Sequence, residues 1–238
     1  MKTRLKINGI IIVLAVLLTV AFPAVFMRHD SVGLGEEILE ILGITSILLG
    51  QVIRVSSRGY KSEHSSQGAV LIQGGPYALV RNPMYLGIFL IGLGIVLVLF
   101  NWWVICLFLL AFVSRYLLLI PKEEKKLSAM FPVDYPAYKR NVPRILPSLP
   151  AVLRKDVSEY LPIKPPWLKK EIGSISAVLL FTLLMESWED IKNEGWATYK
   201  EEALTIIVTI ILFIALLIYL SKRTNSVRKH DSNKSKTH

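Results

Sequence analysis

An all-α, polytopic integral membrane protein is the fold class this sequence predicts. About six transmembrane helices, both termini cytoplasmic and a cytoplasmic interfacial helix are expected. Three observations carry that expectation. Hydrophobic residues fill 53% of the 238 positions and charged residues only 19%, against roughly 45–50% and about 25% in a soluble domain. The apolar residues are gathered into blocks near the length that crosses a hydrocarbon core, about 20 residues. The segments between blocks alternate between basic and non-basic, the pattern of the positive-inside rule. A disordered chain, a secreted disulfide scaffold and an ordinary soluble enzyme are excluded.

The first block, residues 7–26, follows Lys2, Arg4 and Lys6. It exceeds the roughly 7–15 residues of a signal core, and no small-x-small cleavage site follows, so it reads as a retained helix. The other blocks are 38–55, 84–100, 102–120, 172–188 and 204–220. After the first, Arg28 faces Asp30, Glu36 and Glu37; after the second come Arg54, Arg58, Lys61 and Arg81 against Glu63. The turn at Asn101 is uncharged, and residues 121–171 hold eleven Lys or Arg. The fifth connection is acidic, with Glu186 reading as interfacial, and the tail after Ser221 is basic and expected to be disordered. The net charge of +10 therefore reads as topology and attraction to anionic lipids. No aromatic-interleaved basic groove points to nucleic acid.

Cys106 is alone, which excludes an intramolecular disulfide, and in its apolar run it is expected to be a small buried hydrophobe. His29, His64, His230 and His238 lack metal-ligand spacing, so no metal is expected. Arg115 lies roughly 9 Å inside its helix end at ~1.5 Å per residue. The sequence leaves open whether it faces the interior or snorkels to the interface.

Two segments carry polar chemistry. In the first, Gly74, Gly75 and Pro76 form a turn where backbone can approach a ligand, and Pro83 suits a helix start. Arg81, Asn82 and Tyr85 then gather at the mouth of a membrane helix, whose free N–H groups suit an anion. Gly87, Gly92 and Gly94 allow close packing of that helix. In the second segment, Pro121 marks the membrane exit, and Glu123 and Glu124 open a new helix. Leu127 and Phe131, at i and i+4, place that helix along the membrane surface.

Gly75-Pro-Tyr-Ala-Leu-Val-Arg81-Asn-Pro-Met-Tyr85-Leu-Gly87 resembles the G-x-Y-x-x-x-R-H-P-x-Y-x-G signature of the isoprenylcysteine carboxyl methyltransferases, related to that of the phospholipid methyltransferases. Glu123-Glu124-x-x-Leu127, Phe131, Tyr135-x-x-Tyr138, Val142-Pro143 and Leu146-Pro147 are similar to that family's second motif. The resemblance covers about residues 35–150. It implies S-adenosylmethionine as methyl donor, held by Gly75, Tyr77, Arg81, Asn82, Tyr85, Glu123 and Glu124, with Tyr138 contributing from the surface helix. It also implies a lipophilic acceptor entering from the membrane, most simply the carboxylate of an isoprenylcysteine-like molecule.

Asn82 stands where the family signature has His, and Asn141 where it often has Arg. Asn cannot carry a proton in catalysis, which favours an acceptor already ionised near pH 7. Arg81 is the first candidate for the cation that places such an acceptor and Arg140 the second. An amine acceptor would instead call on Glu124, Glu123 or a Tyr as base.

The expected organisation is a four-helix methyltransferase core with a cytoplasmic cofactor site (1–150), a Pro-rich connection (151–171), a C-terminal transmembrane hairpin (172–220) and a basic tail (221–238). The hairpin is left open between packing on the core, homo-oligomer formation and shaping the acceptor entrance. The alternatives are a phospholipid amine or thiol methyltransferase, a sterol-type reductase using NADPH, and a non-catalytic membrane scaffold.

Overall fold

The computed structural model describes residues 16–28, 34–65, 70–147 and 160–193. The sixth expected span, the basic tail and residues 7–15 of the first span lie outside them. The chain divides into two units, Met1–Pro162 and Ile163–His238. All regular structure among the described residues is helical.

In the first unit, residues 16–21 are helical, Phe22 leaves the helix, and Pro23–Phe26 adds a short turn, α1. Helix α2 runs Leu34–His64, nine residues beyond the expected 38–55. The polar stretch after Val55 contains no proline, and Ser57 satisfies its hydroxyl on the Ile53 carbonyl at 2.6 Å, so nothing local ends the helix. Helix α3 is the short turn Pro76–Leu79, and α4 is Pro83–Leu99. Helix α5 spans Trp102–Met130, and α6 is Asp134–Asn141.

Two of these helices are long and apolar enough to cross a membrane, over Ile38–His64 and Trp102–Met130, while Pro83–Leu99 is shorter and apolar. At ~1.5 Å per residue α5 is roughly 43 Å long, more than the ~30 Å hydrocarbon core, so its polar last turns extend past it.

Helices α2 and α4 meet backbone to backbone at two points. A Cβ on Gly50 would lie 2.7 Å from the Gly87 carbonyl oxygen, and one on Gly43 would lie 2.9 Å from that of Gly94. The pairs 43/94 and 50/87 are seven residues apart on each helix and run in opposite directions, which sets an antiparallel register. On the other side of α4, Gly92 lies under the Phe108 ring of α5.

The far end of this hairpin is tied to α1. Met27 and Phe100 form an isolated antiparallel bridge, and Arg28 donates to the carbonyls of Leu97 and Val98, which lack helical donors at the end of α4. Asn101 Nδ2 donates to Val25 O at 3.2 Å and Met27 O at 2.8 Å. Asn101→Ala is expected to lower stability by about 1–3 kcal/mol through these two bonds, read as a lower thermal midpoint in detergent.

Three sequence expectations need correction. Pro121 does not end a helix; it lies inside α5, and Glu123 and Glu124 belong to that helix rather than to the first turn of a new one. Proline costs one backbone bond, but Ile120 (1% exposed) and Glu124 (5%) anchor the helix on either side of it. The surface helix is therefore only the eight residues of α6; Leu127 is in α5 and Phe131 caps it. Cys106 is exposed on α5 rather than buried. Arg115 is exposed as well.

In the second unit, α7 runs Pro165–Asn193, starting inside the stretch expected as an irregular connection. Proline in the first turn forfeits no helical bond. Trp167 N and Leu168 N both donate to Lys164 O, and the Lys164 ammonium sits 5.1 Å over the Trp167 ring.

Candidate methyl-transfer site

The site is built at the end of the first unit where α2 finishes, α4 begins and α5 runs out past its apolar stretch. The Gly74–Gly75 turn folds against Tyr60 on the last turns of α2. Gly75 has φ +57°, a conformation suited to glycine, and a Cβ there would lie 2.7 Å from Tyr60 Cδ2. Tyr60 also stacks on His64, ring centroids 3.9 Å apart.

The two polar segments are joined by bonds between residues 38 to 62 apart in the chain. Arg81 N donates to Pro143 O at 2.8 Å, and Asn82 Nδ2 donates to Arg144 O at 3.0 Å. Tyr138 OH donates to Tyr77 O at 2.7 Å, and Tyr85 OH to Glu123 Oε2 at 2.5 Å. Asn82, at the N-cap of α4, makes no side-chain cap bond; its amide is used to hold the chain after α6.

Beneath these bonds lies an ion cluster. Glu124, with its side chain 6% exposed, sits 3.1 Å from Arg81 Nη1, whose side chain is 8% exposed. Arg144 donates to the same carboxylate from Nη2 at 3.0 Å and from Nε at 3.3 Å. Arg144 is 44% exposed. Arg81 Nε is buried without a hydrogen-bond partner among the described residues.

Glu124 is paired with two guanidinium groups, and Arg81 is one of them. Tyr138 is buried as a brace under Tyr77. Arg140 lies exposed in the last turn of α6 and enters no ion pair of this cluster. Of the two arginines that flank Asn141-Val142-Pro143, Arg140 and Arg144, it is Arg144 that joins the cluster.

Beside Arg144 opens an apolar cleft of about 450 Å³, within the range of roughly 300–1,000 Å³ for small-molecule sites. Phe89 of α4 and Phe112, Tyr116 and Leu117 of α5 line it, with Arg144 and Leu146 from the segment after α6. Tyr116 stacks on Phe112 at 3.9 Å and meets Tyr85 edge-on at 4.8 Å, so the aromatic wall runs up to the Tyr85–Glu123 pair. A smaller cavity of about 180 Å³, lined by Ile53, Val80, Leu86 and Leu161 among others, lies behind α3.

The ion cluster and the bonds around it bring both sequence motifs together beside one apolar cleft. Residues 38–133 match the phospholipid methyltransferase family model. The matched segment contains α4 whole, most of α2 and the whole of α5, and so all the cluster but Arg144 and α6. The match covers 96 of the 238 residues, and both membrane-length helices fall within it. No curated protein and no solved structure matched in the comparisons.

Burial raises the Tyr77 phenol above its ordinary value, with the Glu123 carboxylate adding to the rise. Tyr138 is raised by burial and then by Tyr77 and Tyr135, and Tyr135 by burial and then Glu124. A phenol whose folded pKa lies above the unfolded value of about 10 contributes stability below that pH and loses it as pH rises further. The thermal midpoint is therefore expected to hold from about pH 7 to 9 and to fall above about pH 10. Tyr138→Phe should make that fall shallower.

Proposed function

We propose that this protein is an integral-membrane methyltransferase that uses S-adenosylmethionine to methylate a lipophilic acceptor, the carboxylate of an isoprenylcysteine-like molecule. The observation that carries this reading is the joining of the two motif segments beside an apolar cleft on membrane-length helices. Multiple spans beyond the described helices and a cytoplasmic face for the ion cluster belong to the same proposal.

The residues fit the donor. Glu123 is exposed and hydrogen-bonded by Tyr85, which suits a sulfonium cation or ribose hydroxyls. Gly75, Tyr77 and Asn82 line the adjoining turn. When bound, S-adenosylmethionine supplies an electrophilic methyl group. The chain's own part is to orient the acceptor, exclude water and neutralise its charge. A carboxylate acceptor is ionised near pH 7 and needs no base, in keeping with a site whose Glu124 is paired with Arg81 and Arg144. A phospholipid amine is the second reading, favoured by the description of the matched family.

Calorimetric titration of the detergent-purified protein with S-adenosylmethionine, with NADPH as comparison, tests the donor. Saturable binding of the methyl donor, weakened by Glu123→Gln and Tyr85→Phe, is expected. Binding of NADPH in its place would move the protein to the reductases, and binding of neither by folded protein would favour the scaffold.

A further inference from the structure

We propose that the cavity behind α3 is a binding site for a small uncharged apolar molecule, about the size of a benzene ring, that reaches it from the lipid. The site shares no lining residue with the cleft between α4 and α5. It stands whether or not the chain transfers methyl groups.

Volume and chemistry define the occupant. The cavity holds about 180 Å³, and an apolar cavity of about 150 Å³ stays free of water and takes up benzene. Almost no polar atom faces into it. A hydroxyl, an amine or a charge would enter without a partner and lose its hydration for nothing in return.

The walls are built so that the space does not close by itself. Pro76, Pro83 and Pro147 form part of the lining, and Pro76 and Pro83 are fully buried. A proline ring fixes its own φ and has no long side chain to swing into a void. The lining from residues 160–161 is tied down as well. Ser56 Oγ of α2 donates to Pro162 O at 2.7 Å, and the neighbouring Leu161 packs on Ile53, Val80 and Leu86. Ile145 packs on the same three residues and lines the other cleft, so it separates the two spaces.

Entry is from the membrane side. Leu49, 45% exposed, is the lining residue that faces outward, while the others are buried or partly buried. Leu42 (51%), seven residues earlier, shares its face of a membrane-length helix. A molecule seated inside would also back the turn that carries Tyr77 and Arg81, because Pro76, Leu79, Val80 and Pro83 of the same segment form the wall.

Thermal unfolding of the detergent-purified full chain in rising benzene, with phenol as comparison, tests the site. Benzene should raise the wild-type midpoint saturably, by about 2–4 °C. Phenol, the same ring with one hydroxyl, should need at least about tenfold more to match it. Leu49→Trp sets a ring across the mouth at an exposed position and should abolish the benzene response. Leu161→Ala widens the cavity, so it should lower the midpoint and gain more from benzene than the wild type does. Hydrogen exchange locates the effect: benzene should slow the amides between Tyr77 and Leu86 about fivefold or more and leave those of α5 unchanged. No rise in the wild type, equal responses to benzene and phenol, or slowing spread evenly over both helices would overturn the inference. A benzene response that survives in folded Leu49→Trp would do the same. If that variant does not fold, the comparison of benzene with phenol and the exchange pattern of the wild type still decide.

Discussion

Glu124→Ala is expected to destabilise the first unit by about 3–5 kcal/mol, the scale for removing one partner of a buried ion pair. The carboxylate is nearly sealed from solvent and is the common partner of Arg81 and Arg144. Without it Arg81, itself 8% exposed, keeps a buried charge with no counter-ion in the cluster. Arg144 also loses the contact that holds it against α5. The effect should therefore reach the bonds from Arg81 N to Pro143 O and from Asn82 to Arg144 O. Thermal unfolding in detergent checks this, with Glu123→Ala as the comparison. Glu123 is exposed and bonds only Tyr85 among the described residues, so its loss should cost far less. Similar midpoints for the two variants would show that the cluster does not hold the segments together.

The second large effect is expected at the glycine contacts. Gly50→Leu places side-chain carbon against the Gly87 carbonyl and Ile91, where even a Cβ would come within 2.8 Å. The opposing atoms include backbone, so they cannot rotate aside. Overpacking of this kind typically costs about 1–3 kcal/mol, occasionally more, and here it pushes α2 off α4 at the point that sets their register. Gly35→Leu, where nothing lies within 4 Å of the new Cβ, is the control. Size-exclusion profiles of detergent extracts should show a monodisperse peak for Gly35→Leu and aggregation for Gly50→Leu. Equal profiles would remove the close approach as the basis of the packing.

Much of this architecture was legible in the sequence for a simple reason: helix class and close packing are written in local composition. Gly87 and Gly94 stood out in an apolar helix, and the structure pairs them with Gly50 and Gly43. Those partners were not legible, because naming them requires the antiparallel register of α2 against α4. Pro121 misled for the opposite reason. A local rule predicts a break, while burial of Ile120 and Glu124 on either side holds the helix together. The run Lys122-Glu123-Glu124-Lys125-Lys126 gives no sign of which charge turns inward. That depends on Arg144, twenty residues further on, and on a return of the chain that composition does not encode. Exposure of Cys106 follows from the same limit, since periodicity in a helix apolar on every side does not tell the protein face from the outer one.

Transfer of a labelled methyl group tests the central claim most directly. The protein, reconstituted with methyl-labelled S-adenosylmethionine and either S-farnesyl-N-acetylcysteine or phosphatidylethanolamine, should place label in the lipid phase with the farnesylated acid. Alkali should then release that label as methanol, as a methyl ester requires. Alkali-stable label on phosphatidylethanolamine would contradict the carboxylate acceptor, and no label in either lipid, with protein that is folded and binds the donor, would contradict the methyltransferase itself.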